Sequence, residues 1–147
     1  MSRAHYEALL RDIDKSGVYH APLGGRSELA AAAKSLGYGL FPIDLITVND
    51  KAGLLDAVAA ALDFPDWFGR NWDALEECLM DLSWWPAPGY VVLLENADRL
   101  HGAHAADLDT ALQIFAGAAE SWRQEGVPFW TLVDVRADGK GWLPELP

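Results

Sequence analysis

The chain predicts an α/β layered fold: a small, mainly parallel β-sheet packed with helices, plus an extra N-terminal α-β-α unit on the same sheet. Three observations lead there. Helix-periodic segments alternate with short apolar runs in the order α-β-α-β-α-α-β-α-β, an alternation that builds a parallel sheet with right-handed crossovers. Two of those runs, Tyr90 to Leu94 and Phe129 to Val133, are almost wholly apolar, as expected of strands covered on both faces. Finally, 147 residues with 51% hydrophobic side chains can bury one core and are too apolar for global disorder.

Residues 3 to 14 place Tyr6, Leu9, Leu10 and Ile13 on one helical face, and Ser16-Gly17 supplies the stop. Val18 to Ala21 predicts a short strand, closed by turn residues Pro22 to Gly25. Ser27 is the expected N-cap of an alanine-rich helix reaching Leu36, with Gly37 ending it. Leu40 to Val48 alternates as a strand, and Pro42 within it points to a strand start or a sheet edge. Asn49 or Asp50 caps a helix to about Leu62, which Phe64-Pro65 terminates. After the acidic helix discussed below, SWWPAPG at 83 to 89 is turn-rich. Residues 98 to 106 do not resolve between helix and loop, whereas Asp107 to Gln124 puts Leu108, Leu112, Phe115, Ala119 and Trp122 inward. The expected organisation is a single domain over 1–147: an N-terminal extension at 1–39, a core at 40–134 and an irregular tail at 135–147.

Charge narrows the partners. The net charge is −11, which argues against direct contact with nucleic acid, membrane surfaces or other polyanions. It is concentrated in the middle: residues 44 to 82 hold Lys51 and Arg70 against nine carboxylates. No apolar run reaches the roughly 18 residues of a membrane helix. The N-terminus is charged and helical in pattern, unlike a secretory signal, and the single cysteine fits a reducing compartment. A cytoplasmic protein, monomeric until it meets its partner, is the expectation.

The densest acidic element is the helix expected from Asn71 to Leu82. Trp72, Leu75, Leu79 and Leu82 form an apolar stripe, with Ala74 and Cys78 alongside. The opposite face carries Asp73, Glu77 and Asp81 four residues apart, with Glu76 beside them. Like charges at that spacing destabilise a helix by about a few tenths of a kcal/mol per pair. Carboxylates near its C-terminus also oppose the macrodipole. The stripe works against the helix that carries it, so a cationic partner outside the chain is expected. Asn71 reads as the N-cap, Gly69 as a position of positive φ or close backbone approach, and Cys78 as a buried, unreactive thiol.

Residues 64 to 82 resemble the barstar family of intracellular ribonuclease inhibitors. The shared pattern stands here as Phe64, Pro65, Asp66, Trp67, Phe68, Gly69, Asn71, Asp73, Ala74, Leu75, Glu77, Cys78 and Leu79. The strand-helix-strand order that follows extends the resemblance over about residues 40 to 134. It implies that the acidic helix and the preceding loop plug the cationic active site of a ribonuclease, their carboxylates standing where RNA phosphate would lie. By motif position Asp73 and Glu77 are the principal phosphate mimics. Gly69 and Asn71 shape the loop, and Trp67 and Phe68 supply aromatic surface. Glu76 and Met80 occupy contact positions where the family pattern has tryptophan and threonine, and Asp81 completes the stripe. Trp84 and Trp85 follow the helix; one is expected at the contact surface and one in the core, with Trp84 assigned to the surface. Glu77 replaces an aspartate and the aromatic pair replaces two tyrosines, so a different cognate nuclease is implied. Glu120 and Glu125 are the candidates for one further family carboxylate.

Neither a catalytic group, a metal nor a cofactor is expected. His101 and His104 have no defined third ligand nearby, and a nucleotide-binding glycine fingerprint or nucleophile elbow is missing. The alternative function is a barstar-like module that recognises a basic partner other than a nuclease. A hydrolase using Asp73, Glu77 and a histidine lacks a nucleophile or cofactor signature.

Overall fold

Four strands form one sheet in the order β1-β4-β3-β2: β1 Val18–His20, β2 Gly39–Asp44, β3 Tyr90–Glu95 and β4 Phe129–Val133. All three ladders are parallel. The computed structural model describes residues 2–136 and 142–147. Its helices are α1 Arg3–Arg11, α2 Arg26–Ser35, α3 Lys51–Ala61, α4 Trp72–Asp81 and α5 Asp98–Gln124, and the element order is the one the periodicities predict.

The strands alternate their side chains between two cores. Val91, Leu93, Trp130 and Leu132 face α1 and α2 through Tyr6, Leu10, Leu29 and Ala32. Val92, Leu94, Phe129 and Val133 face the other side, where α3, α4 and α5 contribute Leu55, Val58, Leu75, Leu79, Leu112 and Phe115. The near-continuous apolarity of β3 and β4 follows from this two-sided burial. Because β1 pairs with β4, the N-terminal unit extends the sheet on the side away from β2. Pro42 lies in the opposite edge strand, where a missing amide donor is tolerated.

Several boundaries differ from expectation. α2 begins at Gly25, in the left-handed region at φ 79°, not at Ser27, and no side chain caps it. Gly37, at φ 74°, does follow the helix as its stop. The first helix ends at Arg11, and a 3-10 turn, Ile13–Lys15, replaces its last turn. β2 stops at Asp44 because the Asp44 carboxylate accepts the Ile46 amide at 3.0 Å, a local turn that competes with the ladder; Leu45 and Val48 are buried but lie outside the strand. Residues 98 to 106 are helical and join the following helix through a break at His104 (φ −146°, ψ 67°). In the tail, positions 137–141 lie outside the described residues. Leu143 is buried, and a bridge between Glu145 and His20 lays the end of the chain beside β1.

Candidate functional site

α4 is positioned by its inner face. Leu75, Cys78 and Leu79 are fully buried, and the Trp122 indole N–H on α5 donates to the Leu79 carbonyl at 2.8 Å. Asn71 is the N-cap: its side-chain oxygen accepts the Ala74 amide at 2.8 Å. At the other end Leu82 closes the helix in the left-handed region, at φ 46°. Burial pushes the Cys78 thiol up to about 11, helped by the charges of Asp81 and Glu77. A buried thiol held in that form is a packing group.

The outer face carries Asp73, Glu76, Glu77, Met80 and Asp81, all exposed. Among the described residues, no ion pair involves any of these four carboxylates. Asp81 has a local role as well, accepting the Ser83 amide at 3.2 Å just past the helix end. Glu120 pairs with Arg123 on α5, and Glu125 is the C-cap residue of that helix.

Arg70 is the residue that sequence reasoning passed over. It adopts the left-handed conformation at φ 53°, immediately before the cap, and forks onto Asp56 of α3 at 2.8 and 2.9 Å. That bond to Asp56 raises the guanidinium pKa further. The positive φ expected of Gly69 therefore falls on Arg70. Gly69 keeps the second part of its expectation, since an added Cβ would lie 3.3 Å from the Asn71 side-chain nitrogen Nδ2. The signal was present in the sequence: Arg70 is the only base between Phe64 and Leu82. By turning to α3, its charge is kept from cancelling the stripe.

The loop before α4 rests on an aromatic stack. Phe64 meets Phe68 edge-on at 5.0 Å and Trp84 at 6.0 Å; Trp67 meets Trp84 at 6.3 Å. Trp84 is half-buried and donates its indole N–H to the Leu62 carbonyl at 2.9 Å. Phe68 is also half-buried, whereas Trp67 is 59% exposed and Trp85 39% exposed. Trp67 thus stands out from a base formed by Phe64, Phe68 and Trp84. Replacing Asn71 by alanine should lower stability by about 1 kcal/mol, the usual loss for an N-cap, measured as a shift in the urea midpoint. A much larger loss of partner binding than of stability would give Asn71 a contact role as well.

Fold and surface together define an α/β protein that presents one acidic helix, flanked by aromatic side chains, to solvent. The chain belongs to the barstar (barnase inhibitor) family, whose model matches residues 38–134. No curated protein matches the chain. Among solved structures, the ORC2 protein of Aeropyrum pernix in its ADPNP–ADP complexes is similar, with a TM-score of 0.56 at 17% identity. The match covers 95% of this chain and 41% of that one, and at this identity the likeness concerns the fold alone.

Proposed function

We propose that the protein is an intracellular inhibitor of a bacterial ribonuclease, acting by occlusion of a cationic active site and without catalysis. The observation that carries this reading is the row of exposed carboxylates on α4, which no cation of the described structure offsets. A family of barnase inhibitors supplies the context. Asp73 and Glu77 occupy the positions of RNA phosphate, with Glu76 and Asp81 at the margins. Trp67 and Met80 add apolar surface; Phe68, Gly69, Asn71 and Trp84 hold the loop in shape. A complementary charge field speeds capture of a basic enzyme.

The test is recovery of the partner from the native cell on immobilised protein, followed by an RNA-cleavage titration. Inhibition complete at one equivalent is the expected result. A captured basic protein without nuclease activity would favour the binding-module reading instead, and the absence of any inhibited nuclease removes the proposal's support.

A further inference from the structure

The two outer edges of the sheet are finished differently. At β1 the His20 amide donates to the Pro144 carbonyl at 2.8 Å, and the bridge to Glu145 continues that cover. Beyond β2 no further strand follows among the described residues. The Gly39 amide donates to Gly89 and the Leu45 amide to Glu95, so the odd-numbered residues of β2 turn their backbone groups to β3. Alternation along the strand then turns Leu40, Pro42 and Asp44 outward. Pro42 and Asp44 are exposed and Leu40 is half-buried. Among the described residues, no backbone hydrogen bond outside the ladders reaches any of the three.

An open edge with free amides and carbonyls is a template for another strand. This one is matched to itself. Two copies of β2 laid antiparallel about a two-fold axis through Pro42 set Leu40 of each opposite Asp44 of the other, and Pro42 opposite Pro42. No like charges meet, and the Leu40 and Asp44 amides each find a carbonyl. At the axis proline has no N–H to give, and its ring stands where the hydrogen would lie. Because the axis repeats the residue, one proline removes the central bond of both strands. A proline at Phe41 or Ile43 would instead break the ladder to β3, and one at Leu40 or Asp44 would leave the central pair intact.

We propose that β2 is a latent self-association edge, that the strand it would accept is the β2 of a second copy of this chain, and that Pro42 keeps it closed. Its pyrrolidine ring fixes a φ that suits extended backbone, and its missing donor faces away from β3, so the block leaves the sheet intact. Restoring an N–H at this single position opens the edge to a continuous sheet across two chains. The inference does not depend on what α4 binds.

Sedimentation velocity of the full chain from micromolar to millimolar concentration tests it, beside Pro42→Thr, which supplies the N–H in a residue suited to strands. The wild-type protein should sediment as a monomer throughout. Pro42→Thr should keep the circular dichroism spectrum and move to twice the mass within that range. Hydrogen exchange locates the contact: the Leu40 and Asp44 amides should exchange fast in the wild-type protein and slow by about tenfold or more in the dimer. Pro42→Val repeats the measurement where threonine impairs folding. A folded variant that stays monomeric at millimolar concentration overturns the proposal. So does a variant dimer whose two amides still exchange fast, a wild-type dimer with those amides protected, or loss of folding in both variants.

Discussion

Truncating Glu77 to alanine should weaken the proposed complex with a ribonuclease by about 2–5 kcal/mol, and Asp73→Ala should act comparably. The barstar prototype complex is itself one of the systems behind that range. In the free protein both carboxylates are exposed and lack an ion-pair partner among the described residues; removing Glu77 should not destabilise the fold, whereas Asp73 sits in the first turn of α4, where the helix dipole favours its charge. Relief of like-charge repulsion along α4 should even raise the stability of the Glu77 variant by about a few tenths of a kcal/mol. For Glu77 the two effects therefore have opposite signs. Dissociation rates of each variant, read beside its thermal midpoint, separate them. The double variant should lose less than the sum of the singles if both groups face one cluster of cations. Dissociation unchanged in both single variants would place the binding surface elsewhere.

Leu75→Ala should lower folding stability by about 2–5 kcal/mol, because it empties a fully buried site between α4 and the rest of the core. Urea denaturation measures this as a lower midpoint with an unchanged slope. Met80, five residues on and 44% exposed, provides the contrast. Met80→Ala should change stability by no more than about 0.5 kcal/mol. A loss below about 1 kcal/mol for Leu75→Ala would mean that α4 is not anchored by its inner face. Proteins of the two kinds then answer different questions: the Leu75 variant tests how the helix is held, and the Glu77 variant tests what it is for.

Most of this architecture was legible because the relevant signals are periodic. Tyr90 to Leu94 and Phe129 to Val133 announce two-sided burial, and the Leu75, Leu79 and Asp73, Glu77 spacings separate the two faces of α4. Asn71 was legible as a cap because its chemistry is local. The errors occur where a neighbouring group decided between near-equal local choices. Ser27 is a better N-cap by composition than Gly25, yet Arg26 is drawn to Glu95 and Asp134 across the sheet and the helix begins two residues earlier. β2 ends at Asp44 because a side chain intercepts the backbone there. The left-handed residue before α4 is Arg70, not Gly69, in a loop where the fork to Asp56 on α3 holds it. Such long-range pairings leave no period in the sequence.

The pairing of Val18 with Thr131 has a consequence for how the molecule is made. β1 emerges early in synthesis, but its neighbour in the sheet is the last strand to appear. Until β4 has left the ribosome, the first strand has a helix on either side of it in sequence and no ladder to join. The elements between can meanwhile assemble, since β2 and β3 pair with each other before β4 is needed. Closing the sheet thus joins Val18 to Thr131, a contact of high sequence separation and correspondingly slow formation. Among the described strands, β1 is the one separated in sequence by the longest stretch from the strand it pairs with.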